Sequence, residues 1–341
     1  MNRGAGGGRP TLEAVARRAG VSRATVSRVV NGSTTVAVTI RDAVNRAVAE
    51  LGYVPNQAAR SLVTQRTDSI ALIMPETAGR VFSDDLFFPA VIRGVGTALE
   101  AADKQLVLML TGSAAGHGRV QRYALAGHVD GVMFASMHGA DPLPGTLARL
   151  GVPVVCCGRP MSPPEVAIPY VDVDNLGGVE AAVRHLIGTG RRRIATIAGP
   201  QDMVAGIDRL TGYRSTLRTA GLPEHVATGD FTRDSGMRAM RRLIEEDPGL
   251  DAVFAASDMM AHGALEVLRR AGRQVPEDVA LIGFDDVEIS RYSDPPLTTV
   301  RQPIMQMGRT MARLMLGLVS GRAKVPASVL LPTDLVIRAS T

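Results

Sequence analysis

Arg23, Thr25, Ser27 and Arg28 lie close together in the stretch VSRATVSRVV. Wound into a helix, they and Ala24 share one side, while Val26, Val29 and Val30 share the other. Such a helix suits a DNA major groove. Arginine forks onto the two acceptors of guanine, and serine and threonine hydroxyls reach phosphate oxygens. The elements needed to position it stand just before it. Leu12, Val15 and Ala16 mark the inner face of a preceding helix, Gly20-Val21 supplies a tight turn, and Ser22 caps the second helix. This is helix-turn-helix spacing. An ordinary helical hairpin with solvated arginines has the same spacing, so the charge distribution has to decide between them.

It favours a polyanion partner. Residues 1–66 hold ten arginines, no lysine and only Glu13, Asp42 and Glu50, an excess of seven positive charges. The rest of the chain carries 28 basic against 30 acidic residues, so the whole net charge of +5 originates in the first segment. With 341 residues, 45% of them hydrophobic, the chain can bury the cores of two or three domains. The start, MNRGAGGGRP, reads as a disordered arm over 1–10 and lacks the apolar core of a secretory signal. No apolar run approaches a membrane span, so a cytoplasmic, nucleoid-associated protein without membrane contact is expected.

After the hairpin, Ile40 to Leu51 is a third amphipathic helix closed by Gly52. Tyr53-Val54-Pro55-Asn56 breaks the pattern, and Asn56 can cap a short helix reaching about Val63. From Ser69 onward short apolar runs alternate with amphipathic helices. The runs are Ile70–Met74, Leu106–Leu110, Gly131–Ala135, Val152–Cys157, Tyr170–Val173, Ile194–Ala198, Ala252–Ala256 and Val279–Phe284. A last helix, Ile304–Leu318, and a last strand, Val329–Leu331, follow. The alternation predicts parallel sheets covered on both faces, and the strand number predicts two of them with a cleft between.

Ligands of open α/β sheets bind beyond the carboxyl ends of the strands. That places Pro75-Glu76, Ser136, Gly158-Arg159, Asp174-Asn175, Gly199-Pro200, Ser257-Asp258 and Asp285-Asp286 as binding candidates. Carboxylates and arginines there suit a hydroxyl-rich ligand, although any one of these residues can equally be a helix cap, Ser257-Asp258 especially. Cys156 and Cys157 are neighbours on one predicted strand and point to opposite faces, which argues against a bond between them and favours buried free thiols. The six histidines are scattered, Gly94-Val95-Gly96 lacks the third glycine of a dinucleotide site, and no nucleotide, metal or hydrolase motif is present. No metal, cofactor or catalytic residue is expected.

Over almost its full length the chain resembles the lactose/galactose repressor family of bacterial transcription regulators. The likeness rests on TLEAVARRAGVSRATVSRVVNG, ELGYVPNQAARSL, DVDNLGGVEAAVRHL, DRLTGYRSTL, AVFAASDMMAHGALEVL and LIGFDDVEISRYSDPPLTTVRQP. The segments GRPTLEAVA, CCGRP, IATIAGPQDMVAGIDRL and GDFTRDSG are most similar to cellobiose- and other sugar-responsive members from actinobacteria. The resemblance implies an all-α helix-turn-helix head, residues 11–66, with a hinge helix at about 56–63. An α/β sensing and dimerisation domain of periplasmic-binding-protein type follows, residues 67–341, with parallel sheets and three crossovers. Its first subdomain would hold about 67–172 and 303–328, its second about 173–302 and 329–341.

The same resemblance implies roles for single residues. Thr11, Ser22, Thr25, Ser27 and Asn31 would hold phosphates or frame the reading helix; Arg23, Ala24 and Arg28 would read bases; Tyr53 would touch a phosphate. Asn56, Ala59 and Arg60 would lie on the hinge helix, and Leu62 would wedge into the minor groove at the operator centre. Two hinges side by side require a homodimer on a pseudo-palindromic duplex, and no leucine heptad follows Leu331 to make a tetramer. In the sensing domain, Phe87 and Phe88 beside Asp84 and Asp85, with Arg159, Met203, Arg209, Phe231, Ser257 and Asp285, would line the effector cleft. Met203 replaces the arginine of purine-sensing members. Ala37-Val38-Thr39-Ile40-Arg41 departs from the family's Ser-x-x-Thr-Arg, so Thr39 is expected to cap the third helix one turn later.

The expected function is a sugar-released repressor of sugar uptake or catabolism genes, the sugar being a glucoside or cello-oligosaccharide. A ligand acting as corepressor fits the same residues. A periplasmic sugar-binding protein, or an enzyme with a Rossmann-like core and a DNA-binding head, fits the α/β pattern alone.

Overall fold

The computed structural model describes residues 10–30, 33, 35–54, 66–112, 114–162, 166–321 and 326–341. The chain forms two compact units, dividing between Thr67 and Asp68.

The first unit is a small helical head. Its α1 runs over Leu12–Ala19, with the Thr11 hydroxyl accepting from the Ala14 amide at 3.3 Å. Gly20 closes it in the left-handed region, φ 67°, which a side chain would strain. The Ser22 hydroxyl accepts from the Thr25 amide at 3.1 Å and so starts α2, Arg23–Val30. α3 covers Val38–Leu51. Its cap position is Ala37, with no side-chain bond, and Thr39 lies inside the helix. The expectation that Thr39 caps α3 is therefore corrected: the chain is already helical one residue earlier. Val15, Ala16, Val26, Val29, Val44 and Ala47 form the core. Tyr53 joins them at 7% exposure, a packing role that the expected phosphate contact does not account for.

The second unit carries two six-stranded sheets. Its strands are β1 (Ser69–Met74), β2 (Gln105–Leu110), β3 (Gly131–Phe134), β4 (Val154–Cys157), β5 (Tyr170–Val173) and β6 (Ile194–Ala198). β7 (His225–Thr228), β8 (Ala252–Ala255), β9 (Ala280–Asp285), β10 (Thr298–Arg301), β11 (Ser328–Leu331) and β12 (Asp334–Val336) complete them. The first lobe has the order β11-β5-β4-β3-β1-β2, the second β12-β10-β9-β8-β6-β7. All pairings are parallel except β10 with β12. The chain passes between lobes three times: after β5, between β10 and the helix Ile304–Val319, and after β11. One boundary differs from expectation. Residues 329–331 belong to the first lobe, because β11 pairs with β5 from Ser328↔Tyr170 to Leu331↔Val173. β7, β10 and β12 were not foreseen; β7 and β12 are sheet edges, and β10 follows Pro295-Pro296 and starts on two threonines.

The central strands are buried on both faces, which is why they read as continuous apolar runs. Cys156 and Cys157 show the alternation directly, packing into the cores on opposite sides of the first sheet. Both are free, and burial pushes the Cys157 thiol up to about 12, so neither is a reactive thiolate at neutral pH.

Gly94 has a packing purpose. A Cβ built there would fall 2.2 Å from the Met305 carbonyl oxygen, where the helices Phe87–Glu100 and Ile304–Val319 cross. At Gly96 a Cβ would meet nothing within 4 Å. Gly94→Ala is expected to destabilise by about 1–3 kcal/mol through overpacking. Gly96→Ala is expected to stabilise by about 0.5–1 kcal/mol through helix propensity. Thermal unfolding of the two variants checks the contrast; equal shifts would contradict it.

Candidate effector cavity and DNA-binding face

In the head, α2 turns Val26 and Val29 into the core and leaves Ser22, Arg23, Ala24 and Arg28 exposed, with Thr25 and Ser27 half-buried beside them. The predicted division of the helix into an inner and a reading face is therefore present. Thr11 and Ser22 both act as caps. Arg23 Nη1 lies 3.1 Å from Glu13 Oε1 on α1; a hydrogen bond from the Glu13 backbone, then one from Thr11, then the Arg23 charge keep the Glu13 carboxyl below its ordinary range. Asn31, Asn56, Ala59, Arg60 and Leu62, and with them the hinge helix, fall outside the described residues, as does the arm at residues 1–9.

In the second unit, a cavity of about 530 Å³ opens between the carboxyl ends of the two sheets. Nine of the residues named for the cleft line it, Asp85, Phe87, Phe88, Arg159, Met203, Arg209, Phe231, Ser257 and Asp285, while Asp84 does not. They reach it from strand ends and from the first two turns of the helices that follow. Three of the six non-glycine residues with positive φ among the described residues also line it: Ser136 (61°), Phe231 (66°) and Asp285 (119°). Such conformations cost roughly 1–3 kcal/mol each and persist where the surroundings hold them, which is characteristic of binding sites.

Arg209 is the polar centre of the second lobe's wall. It is fully buried on the helix Val204–Ala220 and stacks on Phe284 with its guanidinium carbon 3.6 Å from the ring centre. Its Nε donates to Asn175 Oδ1 at 2.8 Å and its Nη1 to the Ala256 carbonyl at 2.7 Å. Asp285 lies 3.7 Å from the same Nη1 and accepts a bond from Gln302. Burial pushes the Asp285 carboxyl up, and the Arg209 charge opposes that shift. Arg209 thus ties Asn175, Asp285 and the Ala256 carbonyl together, and of these groups Arg209, Asn175 and Asp285 line the cavity.

Phe231 closes over this array. A Cβ at Gly199 would fall 2.4 Å from its ring, so the glycine makes the ring's place. Ser257 lines the cavity and at the same time caps the helix Asp258–Arg270, accepting from the Met260 amide at 3.2 Å, so both readings of that residue apply. Asp258, its neighbour, is wholly buried and bonds Thr299 and the Val287 amide, a structural role.

Across the cleft, Phe88 is buried at 2% exposure with Phe87 edge-on to it, ring centres 5.6 Å apart. Arg80 sits over the Phe88 ring and 3.3 Å from Asp85. Asp85 accepts from the Phe87 amide at 3.0 Å, yet burial raises its carboxyl above the ordinary value. The Arg159 backbone amide donates to Asp172 at 2.9 Å, and its guanidinium donates to both oxygens of Asp208 at 3.0 Å. Residues not singled out beforehand complete the wall: Arg80, His138, Asp202, Asp230 and Gln302. His138 had a findable signal, standing just past the end of β3 beside Ser136. Aromatic and methionine surface flanked by carboxylates and guanidinium groups is the chemistry that holds a hydroxylated ring: apolar faces for its C–H side, bidentate acceptors for its hydroxyls.

Comparison with known proteins agrees with this geometry. Residues 11–56 match the lacI family of bacterial regulatory proteins, and residues 183–341 match a periplasmic binding protein-like domain. The HTH-type transcriptional regulator CelR of Thermobifida fusca is 51% identical over 97% of this chain and 98% of its own. The HTH-type transcriptional repressor CytR of Escherichia coli K12 is 33% identical over 97% and 96%. Among solved structures, a CelR–cellobiose complex superposes with a TM-score of 0.78 at 49% identity, covering 98% of this chain and 100% of that one. A lac repressor dimer bound to operator and an anti-inducer gives 0.85 at 27% identity, covering 98% and 99%. The chain belongs to the lacI family of bacterial regulatory proteins, transcription regulators that join a helix-turn-helix DNA-binding head to a periplasmic-binding-protein-like sensing unit.

Proposed function

We propose that this regulator is a repressor whose grip on its operator is released by a sugar held in the cavity, cellobiose or a related glucoside. One observation carries the reading: a single chain combines a basic head, with its arginine face exposed, and a cavity of paired carboxylates and arginines over aromatic rings. A disaccharide is favoured because CelR, the relative at 51% identity, has a related structure with cellobiose. Arg209 and Asp285, with Asn175, fix one end of the sugar. Asp85, Arg80 and Glu76 address it from the other lobe, and Phe88, Phe231 and Met203 supply the apolar contacts.

Arg23, Ala24 and Arg28 read bases in the major groove, while Thr11, Ser22, Thr25 and Ser27 hold phosphates. The operator is a pseudo-palindrome met by a homodimer in the cytoplasm. The chain carries out no reaction; the sugar acts by preferring the state that does not fit DNA, and its differential affinity sets the size of the release.

A thermal-shift screen of the full chain against mono- and disaccharides tests the effector. A ligand at a hundred times its Kd stabilises by about 2.7 kcal/mol, so cellobiose should raise Tm by roughly 5 °C. If no saccharide moves Tm, the sugar reading is wrong.

A further inference from the structure

One cluster at the mouth of the cavity joins the two lobes directly. His138 leaves the first lobe just past β3, and Glu76 leaves it just past β1; Asp202 belongs to the second lobe, just past β6. The His138 ring faces a carboxylate at each nitrogen: Nδ1 is 2.9 Å from Asp202 Oδ2, and Nε2 is 3.2 Å from Glu76 Oε1. Glu76 Oε1 also accepts from the Ser136 hydroxyl at 2.7 Å, and the Gly139 amide donates to the Asp202 carbonyl at 2.6 Å. A neutral imidazole has one N–H and can satisfy one of the two carboxylates; satisfying both requires the imidazolium. A second bridge spans the lobes nearby, from Arg159 to Asp208.

We propose that His138 is a positioning residue of the effector cavity: clamped to Glu76 in its own lobe and to Asp202 in the other, it latches the lobes in the closed, ligand-holding arrangement, with Arg159–Asp208 as a second clasp. The inference rests on the reading that the cavity holds a ligand. It adds which side chains couple that ligand to lobe closure.

The latch is asymmetric. When the lobes part, His138 keeps Glu76 and loses Asp202, so its affinity for a proton is higher in the closed state than in the open one. In the closed state it is held up at about 9, first by its bond to Glu76 and then by Asp202, against a burial effect that would lower it. The charged groups facing the cluster are Glu76 with Arg80 behind it from the first lobe, and Asp202 from the second. Closure is therefore favoured while His138 is charged, and the advantage disappears as pH rises through about 9. His138 is partly exposed and Asp202, the partner across the cleft, is more than half exposed, which keeps the effect modest.

Two measurements on the full chain test this. The first follows the His138 ring by NMR in protein carrying labelled histidine, the signal being assigned with His138→Gln. Wild type should titrate near 9, and Asp202→Asn should move the titration down. The second is the affinity for cellobiose from about pH 7.5 to about pH 9.5. Wild type should weaken by roughly threefold to tenfold, and Asp202→Asn should bind more weakly at the lower pH with a flattened profile. A His138 that titrates at the ordinary histidine value, or that Asp202→Asn leaves unmoved, overturns the latch. So does an Asp202→Asn affinity profile that follows wild type. If cellobiose does not bind at all, the sugar reading fails, and the ring titration still decides the latch.

Discussion

Arg209→Met is expected to yield a folded regulator that still binds its operator but no longer answers to its sugar. The guanidinium is fully buried, stacked on Phe284 and bonded to Asn175 and Ala256, with Asp285 beside it. Methionine keeps most of the stacked bulk and removes every donor. The cost of breaking a buried charge pair is about 3–5 kcal/mol, because the remaining carboxylate has no counter-charge. Here part of that cost is relieved, since burial already raises the Asp285 carboxyl and lets it take up a proton. The array that orients the ligand is not restored by that proton. Sugar affinity should fall by at least about a hundredfold, some 3 kcal/mol, while operator affinity without sugar stays close to wild type. Calorimetric sugar titration and operator binding, measured side by side, separate the two. A variant that keeps wild-type sugar affinity would remove Arg209 from the site.

The second large effect concerns the head. Arg23→Ala should lower affinity for the preferred operator by about 1–3 kcal/mol and should relax discrimination at one base pair in each half-site. Arg23 lies at the start of the exposed face of α2, with Glu13 3.1 Å away in an exposed pair that a base can displace at little cost. Its forked guanidinium matches the two major-groove acceptors of guanine. Competition against duplexes altered at single positions reads the result. Equal weakening on every duplex would make Arg23 a phosphate contact instead.

Much of this molecule can be read from its residues, and the reasons are physical. β1, β3, β4, β6, β8 and β9 are buried on both faces, so each is a predominantly apolar run between turn residues, and the runs predict them within two residues. β7 and β12 are edges with a single covered face, and that weakens the signal. The partition of the tail between lobes depended on where the third crossover falls. Periodicity cannot show that; only the register of β11 on β5 shows that it comes after Leu331. In the head, threonine's capping preference points to Thr39, but α3 begins one residue before it, with Ala37 at the cap position. The cavity divides in the same way. Arg209, Asp285, Phe231 and Ser257 could be matched residue by residue to a family pattern. His138 and Asp202 could not, because their meeting is a product of two separate sheets brought face to face, 64 residues apart in the chain.

A sugar in the cavity is expected to switch DNA binding by the head. The most direct test is fluorescence anisotropy of a labelled operator duplex, selected from random DNA with the full chain, as cellobiose is titrated in. The duplex should be released over the concentration range in which cellobiose raises Tm, and should not be released from Arg209→Met. Operator binding that stays unchanged while cellobiose fills the cavity, or that tightens, would contradict it.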